Sequence, residues 1–415
     1  MKNMALAAEP RFNVLSTRRD FPVLARHIHG KPLAYLDNGA SAQRPNAVIG
    51  AVEDYERNHH ANIHRGVHTL SQEATKLYED ARDRLVRFIN ARSRHETVFV
   101  RGTTEAINLV AQSYARPLLQ NGDEILITYL EHHANIVPWQ LVCEQTGAKL
   151  VVVPMDEHGE VHVDVVESLM SERTRLFAFA HVSNALGTVL PVKRLIAAAK
   201  SRGITTLVDG AQAVPHMPVD VQDLGCDFYA FSGHKLFGPT GIGLLYGRES
   251  LLERMPPWQG GGDMILSVSF AKTTYNALPY KFEAGTPNIS GAVGLGAAIE
   301  YLEGMDLAGA QAHEHALLEY ATAALSGIEG LRIVGTAKDK ASLVSFVMRG
   351  VHAHDLGTIL DEDGIAIRTG HHCAMPVMEF FKIAATARAS FAFYNTFDEI
   401  DRLAAAIERA RSIFA

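Results

Sequence analysis

Short apolar runs alternate with helical patterns through the middle of this 415-residue chain, and this alternation constrains the fold more than any other feature. A repeated strand–helix–strand order predicts a mainly parallel sheet between helix layers. The helical patterns cover residues 104–115, 136–146, 164–170 and 192–202. The predicted strands are Thr97–Val100, Glu124–Thr128, Leu150–Val153, Leu176–His181, Thr205–Asp209, Asp227–Phe231 and Ile242–Tyr246.

The last quarter of the chain follows a different order of elements. After a predicted helix at residues 291–303, the composition becomes more polar, and helices and strands no longer alternate one for one. Helices are expected at residues 308–326 and 354–362, with strands at Leu331–Val334 and Leu343–Met348. This pattern predicts a large domain followed by a smaller α+β domain.

Composition limits the classes of partner and the compartment. The net charge of −7 gives no reason to expect binding to nucleic acid or to an anionic membrane. Three cysteines without a CxxC pair fit a reducing cytosol. The apolar run Met4–Ala8 is too short for the core of a signal peptide, and no run is long enough to span a bilayer. We therefore expect a soluble, cytoplasmic protein.

Polar groups follow three of the predicted strands at the ends where ligands bind in open α/β sheets. Lys235 lies just after the strand Asp227–Phe231, and Asp209 ends another strand. Gly102, with the hydroxyls of residues 103 and 104, opens a helix and predicts a phosphate site. A lone turn lysine is usually just solvated. An amine, a carboxylate and a phosphate site together are what pyridoxal phosphate requires.

Three motifs carry a resemblance to a known family. They are Asp209-Gly-Ala-Gln212, Ser232-Gly-His-Lys235 and Arg368-Thr-Gly-His-His-Cys373-Ala. In this order they resemble the SufS-type (group II) cysteine desulfurases, which belong to the class V aminotransferase branch of fold-type I pyridoxal phosphate enzymes. The likeness runs from about Tyr35 to the C-terminus. It implies a large domain of residues 31–303 and a small domain formed by residues 1–30 and 304–415.

The resemblance also assigns residues to the cofactor. It makes Lys235 the cofactor-bearing lysine and Asp209 the partner of the pyridine nitrogen. It places His132 on the cofactor ring, where an imidazole can also shuttle protons. Gln212 is expected to reach the phenolic oxygen, and Asn184 to contact both cofactor and substrate carboxylate. The residues expected at the phosphate are Thr103, Thr104, Ser232, His234 and, from the partner subunit of a homodimer, Thr286.

Two arginines are candidates for binding the substrate. Arg388 lies within an apolar stretch and needs an anionic partner, and its planar guanidinium suits the α-carboxylate of an amino acid. Arg368 is expected to orient the same substrate. Residues 61–68 read as a solvated loop, but the resemblance places His64 and Arg65 of this segment at the active site.

Cys373 is the candidate nucleophile. Gly370 and two neighbouring imidazoles predict an exposed, electropositive loop that favours the thiolate. Cys143 and Cys226 are predicted to lie in the core. The resemblance implies that L-cysteine becomes L-alanine, that Lys235 takes the Cα proton, and that the sulfur remains as a persulfide on Cys373 to supply iron–sulfur cluster assembly. Action on selenocysteine stays open.

Two other functions fit parts of the sequence. One is kynureninase-like or transaminase-like chemistry on the same fold, with Cys373 incidental. The other is a metal-binding sulfur carrier, which would leave Lys235 and Asp209 without a role. Its ligands would be His352, His354, His371, His372 and Cys373.

The sulfur acceptor remains undecided between SufE-like proteins and zinc-containing SufU-like proteins. In SufU-linked family members, a histidine at the position that matches His354 helps draw a zinc ligand away from the acceptor's cysteine. The alternative is that His354 and Asp355 only begin a helix, with the carboxylate near the positive end of its dipole.

Overall fold

The structure, a computed structural model, describes residues 12–414, so the run Met4–Ala8 lies outside the described residues. Within them, none of the helices has the length and apolar character that a membrane span requires. Two π-helical turns, Tyr55–His59 and Ala111–Ala115, continue α2 and α4. The helices are α1 Val14–Arg18, α2 Asn46–Asp54, α3 Thr69–Phe88, α4 Thr103–Val110, α5 Arg116–Leu118, α6 Val137–Thr146, α7 Val163–Leu169, α8 Val192–Ser201, α9 Val221–Leu224, α10 Glu249–Leu252, α11 Ile289–Glu303, α12 Leu307–Ser326, α13 Ala353–Glu362, α14 Met375–Phe380 and α15 Phe397–Ile413.

A seven-stranded sheet forms the centre of the molecule, in the order β4-β10-β9-β8-β7-β5-β6. Only β10 runs against its neighbours, which confirms the predicted mainly parallel sheet. The strands of residues 12–414 are β1 His27–Ile28, β2 Lys31–Pro32, β3 Ala34–Tyr35, β4 Thr97–Val100, β5 Glu124–Thr128, β6 Lys149–Val153, β7 Thr174–Ala180, β8 Thr205–Asp209, β9 Phe228–Ser232, β10 Gly243–Gly247, β11 Ile265–Val268, β12 Thr273–Tyr275, β13 Leu331–Val334, β14 Leu343–Met348, β15 Ile365–Ala366, β16 Arg368–Gly370 and β17 Thr386–Ser390.

Both faces of this sheet are buried. In β9, Tyr229 and Phe231 pack into one apolar cluster, while Phe228 and Ala230 pack into the cluster on the opposite face. Successive side chains of a strand point to opposite faces, so a strand covered by helices on both sides must be apolar throughout. This is why the sheet strands read as continuous apolar runs in the sequence.

The direction of the strands places the functional segments. The parallel strands β5, β7, β8 and β9 end at one edge of the sheet, and β4, which is antiparallel to β10, ends there too. The chain leaves this edge into the segments that contain Thr103, His132, Asn184, Asp209 and Lys235. Residues more than a hundred positions apart are therefore brought to one side of the molecule.

A second, antiparallel sheet lies in the C-terminal part, in the order β13-β14-β17-β16. Its apolar residues share a core with α12, α13 and α15, which confirms the α+β character predicted for this region. The short strand β3 pairs in parallel with β15, so residues 34–35 join the C-terminal part rather than the large sheet. The proposed domain boundaries at residues 30 and 303 stay a prediction.

The first described residues are held by aromatic packing. Phe21 is almost completely buried, and its ring centroid lies 4.6 Å from that of Tyr394 and 6.2 Å from that of Phe237. Arg18 donates to a carboxylate oxygen of Glu399 at 2.7 Å. These contacts fasten the beginning of the described chain to its C-terminal part.

A buried ion cluster connects α3 with the loop before α11. The side chain of Arg82 is fully buried, and its guanidinium donates to both oxygens of Glu283 at 2.8 and 2.9 Å. It also donates to Glu79 at 3.1 Å and to the carbonyl of Thr97 at 3.0 Å. The cation lies 4.6 Å from the centroid of the Phe99 ring. Removing one member would leave the others charged in a low-dielectric interior.

We expect Arg82→Met to lower the free energy of unfolding by about 3–5 kcal/mol, because Glu283 would remain buried without its cation. Arg57→Met is the matched control, since the Arg57–Glu53 pair is exposed and its loss should cost less than about 1 kcal/mol. Urea unfolding followed by circular dichroism measures both variants. Equal losses in the two variants would contradict this account of the cluster.

Candidate active site

A cavity of about 300 Å³ opens at the carboxyl edge of the large sheet, and one end of it is built to receive an anion. The Ser232 hydroxyl accepts from the backbone N–H of Thr103 at 2.9 Å and lies 2.8 Å from the Thr103 hydroxyl. Thr103 is the first residue of α4, so free backbone N–H groups and hydroxyls converge there, with Thr104 and His234 also in the lining. A phosphate group fits these donors.

The middle of the cavity holds an amine and a carboxylate. Burial lowers the pKa of Lys235 to about 8, although the nearby Asp209 favours the ammonium form. Burial raises the pKa of Asp209, and one of its oxygens accepts from the N–H of Ala211 at 2.9 Å. A lysine with this pKa is about half neutral at pH 8, as an amine that bonds to an aldehyde must be.

His132 lies beside these groups as a neutral ring. Burial, together with the charge of Lys235, lowers the pKa of His132 to about 4. Its Nδ1 accepts from the N–H of Ala134 at 3.0 Å, so the ring proton resides on Nε2. A neutral imidazole in this state can lie against a flat cofactor and donate a hydrogen bond from Nε2–H.

Glu131, which the sequence reading did not single out, holds the His132 segment in place. It is fully buried, and its oxygens accept from the N–H of Ala180 at 3.1 Å and from the Asn135 side chain at 2.6 Å. Burial raises the pKa of Glu131 to about 8. These bonds join the end of β5 to the end of β7.

Two arginines share one carboxylate at the mouth of the cavity. Asp37 accepts from Arg368 at 2.8 Å through one oxygen and from Arg388 at 3.5 Å through the other. Arg388 is 2% exposed, and burial lowers its pKa to about 10. Its Nε is buried without a hydrogen-bond partner among residues 12–414. The residue lines the cavity, and a buried cation in that position fits a substrate carboxylate.

Two side chains that were predicted to contact the cofactor form hydrogen bonds within the protein. The amide nitrogen of Gln212 donates to the carbonyl of Gly39 at 2.7 Å. That of Asn184 donates to the carbonyl of His372 at 2.5 Å. Both side chains line the cavity and keep their amide oxygens available there. Their contacts with the cofactor stay predictions.

Cys373 is the exposed cysteine among the three, and it lines the same cavity as Lys235 and Arg388. Cys226 is buried, as predicted, and burial raises its pKa far above the usual range. Cys143 is half-buried, and burial raises its pKa to about 11. The predicted exposure is confirmed for Cys373 and His371, whereas His372 is buried and its pKa is lowered to about 3, so this ring does not supply the positive charge that was expected.

Three predicted site residues lie outside this cavity in the single chain. His64 lies 3.0 Å from Glu79, and Arg65 pairs with Asp263 at 2.7 Å, both on an exposed surface. Thr286 lines a separate cavity of about 470 Å³ beside Trp258. Twelve of the fifteen predicted residues therefore converge, and the roles of these three stay predictions.

The ligand set of the metal-carrier alternative is not assembled. Within the described part of the chain, the only group of three or more metal-ligating side chains in mutual reach is Asp156, Glu160 and His162. The histidines and cysteine of that alternative form no such group, so the alternative is wrong on geometry.

Comparison with known proteins establishes the family. The model of the class-V aminotransferase family matches residues 34–403. The chain belongs to this family. A cysteine desulfurase of Klebsiella pneumoniae is 53% identical over 97% of this chain and 99% of its own length. A cysteine desulfurase of Synechococcus elongatus is 52% identical over 97% of this chain, which spans 64% of the length of that relative.

A solved structure gives the same result. The cysteine desulfurase CsdA of Escherichia coli, in an S-sulfonic acid form, matches with a TM-score of 0.91 at 44% identity, over 97% of this chain and all of that chain. The predicted class V membership, the fold-type I architecture and the dependence on pyridoxal phosphate are confirmed. The SufS-type subgroup stays a prediction.

Uptake of pyridoxal phosphate by the cofactor-free protein should follow the ionisation of Lys235. Because the neutral amine is the reactive form, the rate should rise about tenfold between pH 7 and 9 and level off above pH 9. Absorbance at a series of pH values measures it, with N-acetyl-lysine as the control for ionisation of the cofactor itself. In Asp209→Asn the midpoint should move to lower pH, since the carboxylate favours the ammonium form. A rate that still rises steeply above pH 9.5 would contradict this.

Proposed function

We propose that this protein is a pyridoxal phosphate-dependent cysteine desulfurase that converts L-cysteine to L-alanine and keeps the sulfur as a persulfide on Cys373. One observation carries the proposal: an exposed thiol, a partly neutral lysine and a buried arginine line one cavity. A transaminase-like or kynureninase-like enzyme needs the lysine and the arginine but has no use for the thiol. The cysteine desulfurase relatives support the same choice.

The residues that would hold the cofactor form a continuous set. Hydroxyls of Thr103 and Ser232 and the first N–H groups of α4 would take the phosphate. Asp209 would pair with the ring nitrogen, and Lys235 would carry the aldehyde carbon. When bound, the cofactor supplies an electron sink that makes the Cα–H of an amino acid acidic.

The arginines select and orient the substrate. Arg388 offers its guanidinium to the α-carboxylate, and Asp37 limits how far that guanidinium can turn. Because Asp37 pairs with both arginines, their combined charge toward an incoming carboxylate is reduced from two to one. One carboxylate is therefore enough to neutralise the site.

The remaining chemistry is proton and sulfur transfer between groups of this chain and cysteine. Neutral Lys235 takes the Cα proton. The Cys373 thiolate attacks the sulfur of the substrate, so the Cβ–S bond breaks and an S–S bond forms. Cβ gains the proton that Cys373 gave up on becoming a thiolate, and Lys235 returns its proton to Cα. Nε2–H of His132 can donate a hydrogen bond to the reacting groups. The products are L-alanine and Cys373 persulfide, so no external oxidant or reductant is required.

The three predicted site residues that lie outside the cavity would contribute to an active site in a homodimer. In a single chain these residues are exposed to solvent, beside the β11–β12 hairpin. They are Thr286, His64 and Arg65. This hairpin exposes Leu266, Val268 and Phe270 to solvent. Exposed apolar side chains at such density favour burial against another chain. The small number of cysteines supports a cytoplasmic location. Selenocysteine is a second candidate substrate.

Replacing Cys373 should separate binding from sulfur transfer. Cys373→Ser should keep the visible absorption of the cofactor and its change on adding L-cysteine, but lose alanine formation by at least about a hundredfold. Mass spectrometry should find added sulfur on Cys373 of the parent alone. Cys143→Ser is the matched control and should behave as the parent does. Loss of activity in Cys143→Ser with activity kept in Cys373→Ser would reverse the assignment.

The persulfide must pass to an acceptor, and we propose a zinc-bearing SufU-like protein rather than a SufE-like one. His354 is the second residue of α13 and is exposed on the surface. The ring of His352, just before the helix, accepts the backbone N–H of His354 at 3.2 Å. A neutral imidazole is a competent zinc ligand.

His354→Ala should lose stimulation by a zinc-bearing acceptor while forming the persulfide in a single turnover at the parent rate. Alanine release with each type of acceptor measures this. His315→Ala, another exposed surface histidine, serves as the control. Stimulation by a SufE-like acceptor alone, unchanged in His354→Ala, would refute the choice of acceptor and leave the desulfurase activity standing.

A further inference from the structure

The loop that carries Cys373 has a backbone that needs support. The neighbouring residues His372 and Cys373 have φ values of 52° and 54°. Residues with a side chain rarely adopt this left-handed conformation, and two in succession are rarer still. Such a backbone persists when surrounding contacts over-determine it. The loop is short, since it joins the end of β16 at Gly370 to the start of α14 at Met375.

The contacts that hold this backbone converge on His372. The side chain of Asn184 donates to the carbonyl of His372 at 2.5 Å. The Nε2 of His372 lies 2.7 Å from the hydroxyl of Thr386 on β17. His372 is 8% exposed, and within residues 12–414 its Nδ1 has no hydrogen-bond partner. The ring is therefore held through Nε2 alone. We call Asn184, His372 and Thr386 the loop anchor.

The loop anchor also touches the substrate-binding arginine. Thr386 and Arg388 are alternate residues of β17, so both side chains point to the same face of that strand. Nη1 of Arg388 donates to the backbone carbonyl of Asn184 at 2.6 Å. Asn184 thus bonds Arg388 through its carbonyl oxygen and His372 through its side chain. A chain of three hydrogen-bonded residues connects the carboxylate site with the residue before the nucleophile.

We propose that His372 is a positioning residue for sulfur transfer, which acts with Asn184 and Thr386 to hold the thiol of Cys373 at a fixed place relative to the carboxylate bound by Arg388. This inference rests on the proposed function, because it assumes that Cys373 accepts the sulfur. Burial lowers the pKa of His372 to about 3, so the ring stays neutral at any working pH and its bond to Thr386 is not lost by protonation.

Three variants separate the ring contact from the backbone conformation. His372→Asn tolerates the left-handed backbone but is too short to reach Thr386. His372→Gln places an amide near the position of Nε2 and can restore that bond. Thr386→Val removes the partner oxygen with little change of volume, so it tests the same bond if changes at residue 372 impair folding. Thr206→Val is the control for losing a buried threonine hydroxyl. Thr206 lies at the start of β8, the end of the strand away from Asp209 and the cavity.

We expect kcat for alanine formation to fall about tenfold in His372→Asn and Thr386→Val, with KM for L-cysteine changed less than twofold. His372→Gln should recover part of the loss, and Thr206→Val should match the parent. Hydrogen exchange of the amides in residues 370–376 of the holoenzyme should speed up about tenfold in the first two variants only.

Two results would overturn the proposal. One is that His372→Asn and Thr386→Val keep the kcat and exchange rates of the parent. The other is that KM rises while kcat is unchanged, which would make His372 part of substrate binding. If the parent itself forms neither alanine nor persulfide, the proposed function fails instead. The exchange rates then still decide whether the loop anchor holds the loop.

Discussion

The parallel register of β7, β8 and β9 is the constraint on which the site depends. Ala180 pairs with Asp209, and Asp209 pairs with Ala230, so β7 and β8 end level with one another while β9 continues to Ser232. Because their hydrogen bonds fix this register, the carboxylate of Asp209 and the segment that begins at Ser232 cannot shift separately. A slip of one residue would turn Asp209 toward the opposite face and remove it from Lys235.

Burial then sets the chemistry at this edge. The same exclusion of water lowers the pKa of Lys235 and His132 and raises that of Asp209. Each shift disfavours the charged form of its group. His132 is therefore neutral near neutral pH and Lys235 is about half neutral at pH 8, while Arg388 stays charged because its pKa falls only to about 10. Proton transfer and anion binding can thus coexist within one cavity.

Much of this arrangement could be predicted because it depends on local patterns. Strand bounds at Thr97–Val100 and Thr205–Asp209 were predicted to the residue, since apolar runs end where polar groups begin. Asp37 could not be found in this way, because its partner Arg368 lies 331 positions further along the chain. Sequence analysis did not predict the anchoring roles of Glu131 and His372 for a similar reason. Each depends on which donors meet it in space, and a single sequence does not show that.

The placement of Asp37 has a consequence for the order in which the enzyme matures during synthesis. The strands that hold the cofactor groups have been synthesised once residue 247 has been added. The ion pairs of Asp37 with Arg368 and Arg388 can form only after those arginines have been synthesised. Domains tend to fold as their residues emerge from the ribosome, and contacts between distant residues form slowly. The groups that would bind the cofactor should thus assemble in the nascent chain well before the groups that bind the carboxylate of an amino acid.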